Sequence, residues 1–174
     1  MTAALELRQV RKTYESGDEV VVALDSTDLT IDSDEIIALV GPSGSGKTTL
    51  LSIAGGLLAP TSGHVVVSGT DLTGLSSKQL TSFRGENIGF VFQAVNLVPF
   101  LTASENLTVV AEMNGRGGSA ARSRAGELLD ELGLGHRTKN LPDQLSGGER
   151  QRVAIGRALM NEPSLVLFLS LIHI

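Results

Sequence analysis

Eight residues, GPSGSGKT (41–48), carry the spacing GxxxxGK[ST], and each residue type in it has a chemical task. Gly41, Gly44 and Gly46 let the chain turn tightly with its N–H groups converging, while Pro42, Ser43 and Ser45 fill the turn. A loop of this kind grips phosphate oxygens, helped by the positive end of the helix that must follow it. Lys47 is placed to bridge β- and γ-phosphates as a mobile cation, and the hydroxyl of Thr48, beside Thr49, to ligate Mg²⁺. Taken alone, the loop does not choose among kinases, GTPases and transport ATPases.

A second stretch, LSGGERQ (145–151), sets Ser146 at a predicted helix start, where it caps the helix. Gly147 and Gly148, followed by Glu149, leave the first N–H groups open, which makes another anion site.

The elements that must position these residues are legible from periodicity. Alternation in LELRQV (5–10) and VVALDSTDLTI (21–31) predicts two antiparallel strands joined by a polar turn at 16–19. The run IIALV (36–40) predicts a buried strand that feeds the glycine loop, and KTTLLSIAGGLL has helical spacing. PTSGHVVVSG (60–69) predicts a turn and a strand, and NIGFVFQ (87–93) a further buried strand. Helical patterns at 104–113 and 120–132, broken by GRGG at 115–118, read as an insertion. A helix from Ser146 ends before Pro163, and SLVLF begins a last buried strand. Strands alternating with helices imply an α/β chain with a mostly parallel sheet and a small N-terminal antiparallel layer.

Composition narrows the class. The chain has 174 residues, 41% of them hydrophobic, enough for about one domain with a real core. A net charge of -5 argues against a nucleic-acid surface, so no nucleic-acid partner is expected. With no cysteine there is neither a disulfide framework nor a thiolate metal site. His64, His136 and His173 lie too far apart for ligand spacing. The N-terminus does not read as a signal peptide, and no apolar run reaches the length of a membrane span.

The glycine loop and LSGGE together resemble the ATP-binding cassette (ABC) ATPases, and the resemblance covers the chain up to Phe168. It implies a P-loop NTPase core, incomplete at its C-terminus, with a helical subdomain over about 96–160. It also implies a head-to-tail homodimer or heterodimer in which one subunit's loop (Gly41, Pro42, Ser43, Gly44, Ser45, Gly46, Lys47, Thr48 and Thr49) and the other's LSGGE helix (Ser146, Gly147, Gly148 and Glu149) supply the nucleotide contacts and sandwich each ATP with Mg²⁺. Tyr14, in RKTY, looks like the aromatic that stacks on adenine. Gln93 looks like the glutamine that reaches Mg²⁺ and the attacking water, and its loop, continuing through NLVPFLTASEN (96–106), like the contact with an integral membrane permease. Within the family, RKTYESGDEVVVALDSTDLTI, RGENIGFVFQAVNLVPFLTASEN and GERQRVAIGRALMNEPSLVLF look closest to the lipoprotein-releasing and macrolide-export subfamily. Such cassettes sit on the cytoplasmic face of the cell membrane. The rival readings are a nucleotide-binding regulatory module that does not hydrolyse, and a soluble ABC ATPase without a permease.

In the family the strand matching LVLF runs into Asp-Glu, the pair that organises Mg²⁺ and polarises water. Here Leu169 and Ser170 stand in those places. LSLIHI (169–174) can be encoded by CTG TCT CTT ATA CAC ATC, the mosaic end used in tagmentation libraries, so these six residues are expected to be a translated adapter on a cassette fragment covering 1–168. Such a chain is expected to show weak or absent ATPase activity.

Overall fold

The computed structural model describes residues 3–17 and 19–169, which divide into two compact units between Arg84 and Gly85. The tail expected at 169–174 lies outside the described residues except for Leu169.

The first unit is built on a long hairpin. Strand β1 (Ala3–Ser16) runs antiparallel to β2 (Glu19–Asp32), and β3 (Ser62–Val67) and the short β4 (Thr70–Asp71) complete a sheet in the order β2-β1-β3-β4. Leu5, Leu7 and Val10 of β1 and Val65 and Val67 of β3 are buried, with Leu5 opposite Val67 and Leu7 opposite Val65. The spacing of three between Leu7 and Val10 breaks a strict alternation, and a bulge absorbs it. Gln9 sits there at φ 49, with its N–H donating to Asp28 Oδ1 at 2.8 Å. Opposite the bulge only glycine fits: Gly63 has φ 90, and a Cβ on it would run into the Gln9 backbone. Helix α1 (Lys47–Ala54) packs on β1, β2 and β3 through buried Leu50, Ile53 and Ala54.

Residues 36–40 are a correction. The expected buried strand is absent, and Ile36 and Val40 are 99% and 92% exposed. A strand apolar on both faces holds only between parallel neighbours. The described strands of its own unit are all antiparallel and pair among themselves, so this segment has no ladder to join.

Helix α2 (Ser77–Asn87) connects the units in sequence. In the second unit β5 (Ile88–Phe92) pairs in parallel with β6 (Leu165–Leu169), from Ile88 opposite Leu165 to Phe92 opposite Leu169. Helices α3 (Ala103–Met113), α4 (Ser119–Glu131) and α5 (Gly147–Leu159) share a core of Leu107, Ala111, Leu128, Leu129, Leu134 and Val153. Thr102 caps α3 in a reciprocal box: its N–H donates to Glu105 Oε2 at 2.8 Å, and Glu105 N–H donates to its hydroxyl at 3.3 Å. Gly89 lets β5 lie against α5, since a Cβ there would clash with the Ala158 carbonyl.

Candidate functional site: a phosphate loop and a capped glycine segment

In the first unit the loop 41–46 turns through left-handed glycines, Gly44 at φ 79 and Gly46 at φ 84. A Cβ on Gly46 would stand 2.7 Å from the Ala23 carbonyl oxygen, so both torsion and space demand glycine. Ser45 N–H closes the turn onto Pro42 O at 3.3 Å. The first bond of α1 runs from Leu50 N–H to Gly46 O, leaving the N–H groups of Lys47, Thr48 and Thr49 ahead of the first closed turn. Gly46 provides no side-chain cap, and the first turn of α1 carries no acidic residue. The positive end of the helix dipole is therefore open to an anion.

Lys47 completes the cradle from within. Its Nζ donates to Gly41 O at 2.8 Å, Pro42 O at 2.6 Å and Ser45 Oγ at 3.1 Å. Neutral carbonyls hold the ammonium over the loop, and no carboxylate stands among these three acceptors. Leu24, Leu39 and Leu50 wall an open depression of about 350 Å³ beside Gly41, Ser45 and Lys47. Pro42, Ser43 and Thr48 are exposed, as Gly41 and Gly44 are. Tyr14 belongs to the same unit, opposite Val21 in the hairpin and 46% exposed, with Lys12 Nζ 5.1 Å from its ring centroid.

The second unit carries Gln93 and the LSGGE segment. Gln93 is the first residue beyond β5 and is exposed. The loop behind it is held by Arg157 of α5, whose Nη1 donates to Asn96 O at 2.8 Å and Nη2 to Val95 O at 3.1 Å. Burial lowers the pKa of that guanidinium. Further along, buried Asn106 accepts from Val98 N–H at 2.8 Å and donates to Leu101 O at 2.9 Å.

Ser146 is the N-cap of α5 and is exposed, as are Gly147 and Gly148. Its Oγ accepts from Glu149 N–H at 3.2 Å, and its hydroxyl bonds in turn to the Glu149 carboxylate. Among the described residues beyond its chain neighbours and its own turn of helix, no atom lies within 4 Å of where a Cβ on Gly147 would sit, and Gly148 would meet Arg152 Nη1 at 3.8 Å. Glu149 differs from its three neighbours. Its Oε2 accepts Ser146 N–H at 2.7 Å and its Oε1 accepts Arg137 Nε at 3.0 Å. These bonds hold its pKa at about 2, the Ser146 N–H first and the Ser146 hydroxyl and Arg137 after it. Glu149, expected among the nucleotide contacts, thus shapes the segment from inside the chain.

Sequence reading missed Arg157, Arg137 and Asn106. The partners of Arg157 lie 61 and 62 residues away, so no local spacing announces it. Arg137, twelve residues before Glu149, likewise belongs to neither motif. Among the described residues no three His, Cys, Asp or Glu side chains gather into a metal cage, and no helix is long and apolar enough to cross a membrane.

Comparison with known proteins gives one consistent result. The family model described as ABC transporter matches residues 24–168. The lipoprotein-releasing system ATP-binding protein LolD of Shewanella frigidimarina is 48% identical over 165 residues, 95% of this chain and 69% of that protein. The macrolide export ATP-binding/permease protein MacB of Rhodopseudomonas palustris is 46% identical over 165 residues, again 95% of this chain but only 25% of that protein's length. Among solved structures, the dimeric post-hydrolysis state of the ATP-binding cassette MJ0796 bound to ADP and Pi superposes with a TM-score of 0.83. It is 42% identical, with 94% of this chain and 72% of that one covered. A matched model over most of the chain, a shared α/β cassette fold and an open phosphate loop agree, and the chain belongs to the ABC transporter family of ATP-binding cassettes.

Proposed function

We propose that this chain is the nucleotide-binding part of an ABC transporter ATPase of the lipoprotein-releasing and macrolide-export kind. In that reading it binds ATP, pairs head to tail with a second cassette and acts on a membrane permease at the cytoplasmic face. The observation that carries the reading is the loop 41–46. It presents N–H groups at an uncapped helix start, and an ammonium rests on carbonyls it can exchange for phosphate oxygens.

Each residue then has a task. Gly41, Gly44 and Gly46 shape the cradle, Lys47 follows the β- and γ-phosphates, and Tyr14 offers its exposed ring to adenine. Of the residues present, the exposed Thr48 hydroxyl would hold Mg²⁺, and the exposed Gln93 amide oxygen is a donor of the same hard kind. When bound, Mg²⁺ supplies charge neutralisation at the phosphates. Gly147 and Gly148 offer backbone N–H groups behind the Ser146 cap, with room for a phosphate carried by another copy. That Gly147 has open space beyond its missing Cβ supports the second copy: nothing inside the chain requires glycine there. The similarity to LolD and MacB supports export or lipoprotein release as the work of the complete protein. For the 174 residues themselves the reading is binding without turnover, because Leu169 ends β6 where the family's aspartate would stand.

Equilibrium titration with a fluorescent ATP analogue tests this. Lys47→Ala is expected to weaken affinity at least about thirtyfold, the loss of ~2 kcal/mol of charge-assisted bonding. Affinity unchanged by that substitution would sink the reading. Phosphate release should stay at background in the unsubstituted chain.

A further inference from the structure

We infer that Arg137 is a positioning residue of the glycine segment, which acts by cancelling the charge of Glu149 beside the phosphate that Ser146, Gly147 and Gly148 are shaped to meet. The inference rests on the functional reading above. A carboxylate in the first turn of α5 has two opposite consequences. It stabilises the helix, because Ser146 N–H and Glu149 exchange bonds in a capping box and the negative charge sits at the positive end of the dipole. It also repels any anion that approaches the same helix end. An anion site with a glutamate at its third helical position therefore needs a compensating cation.

Arg137 is that cation, and its placement is fixed. It lies in the 3₁₀ turn Gly135–Arg137, its N–H donates to Leu134 O at 2.8 Å, and Leu134 is fully buried. From this anchor Nε reaches Glu149 Oε1 at 3.0 Å, leaving Oε2 to the Ser146 N–H. The pair is partly buried, with the side chains of Glu149 and Arg137 15% and 38% exposed, so water screens it only in part. The Glu149 carboxylate bonds to Ser146 and Arg137 rather than to either neighbouring cation. Arg150 Nη1 donates to Leu145 O at 2.7 Å and Pro142 O at 3.3 Å, and Arg152 lies outward beside Gly148. With its charge met, Glu149 keeps the cap while the open N–H groups of Gly147 and Gly148 remain attractive to phosphate.

The test is association of the chain at saturating MgATP, followed by sedimentation. Arg137→Ala is expected to raise the dimer dissociation constant about tenfold, the scale of one charge at a partly buried helix end. Glu149→Gln, which keeps a capping acceptor and removes the charge, is expected to tighten association. The double substitution is expected to recover most of what Arg137→Ala loses, which a merely structural role for the arginine would not produce. Nucleotide titration at chain concentrations too low for association serves as the control that each variant is folded. Undiminished association in Arg137→Ala, or a double variant as weak as the single one, overturns the inference. Should Arg137→Ala fail to fold, looser association in Glu149→Gln overturns it instead. A chain that binds nucleotide but never associates, or binds none, removes the functional reading as well, and shows it before any variant is made.

Discussion

Gly46 and Gly147 are the same residue type for different reasons, and the difference can be measured. At Gly46 the chain itself demands glycine, through φ 84 and the Ala23 carbonyl 2.7 Å from the missing Cβ. Gly46→Ala should therefore cost about 1–3 kcal/mol in denaturant unfolding and spoil nucleotide binding together. At Gly147 no atom of the chain objects, and alanine is the better helix former. Gly147→Ala should leave stability unchanged or raise it by up to ~1 kcal/mol, yet abolish MgATP-dependent association. A loss of stability at Gly147 would mean that the open space is not reserved for a second molecule. Both glycines were visible in the two motifs, because pattern alone names residue types. Why each is glycine was not, since one answer lies in the distant Ala23 and the other outside the chain. Glu149 makes the same point: the motif includes it, and only the distances show that both oxygens are engaged within the fold.

Elements with an apolar stripe were the legible ones. Ser146 marks the start of α5 in sequence as in structure, and α3 follows from its apolar spacing, while the reciprocal bonds of Thr102 with Glu105 and of Ser146 with Glu149 are seen in the fold. Ser76 and Gln79 form the same kind of bond ahead of α2, with Ser76 N–H donating to Oε1 at 3.0 Å. That helix escaped notice because none of its residues is buried, so it has no apolar stripe to betray it. The segment 36–40 failed in the opposite way: its apolar run reads correctly as strand-forming, but strand formation is a property of neighbours as well as of sequence. The capping boxes also predict behaviour in acid. Glu105 and Glu149 both titrate below the ordinary carboxylate value, so their contributions are complete above about pH 4.5 and fade as pH falls. For Glu149 the window closes at about pH 2. Thermal melts between those limits should show a shallower loss of stability in Glu149→Gln than in the unsubstituted chain; identical slopes would mean the carboxylate contributes nothing to folding. The clamp on the loop behind Gln93 is a further test of long-range order. Arg157→Ala removes both bonds to Val95 and Asn96, and amide exchange of residues 94–97 should quicken while that of α3, capped by Thr102, does not.

For the molecule as a whole, the consequence of an unjoined apolar segment is colloidal. The sheet of the first unit ends on β2, whose ladder is satisfied on one side by β1, and Val20 near the hairpin turn is 63% exposed. Ile36 lies further along with its side chain in solvent. Edges and apolar patches of this kind pair with other chains unless charge or a cover prevents it. The chain spans 69% of LolD and 25% of MacB, and nothing among the described residues covers these positions. Neither residue lines the depression beside Gly41 and Lys47, so solubility and nucleotide binding are separable. Val20→Lys with Ile36→Lys is expected to lower light scattering severalfold at a given chain concentration, with nucleotide affinity kept within about twofold. Lysine suits both places, because an edge strand tolerates an outward cation and an exposed side chain gives up no packing. Scattering that persists would move the cause to other exposed apolar residues such as Phe100 and Met113. An affinity lost along with the scattering would show instead that residues 20–36 and the glycine loop behave as one cooperative piece.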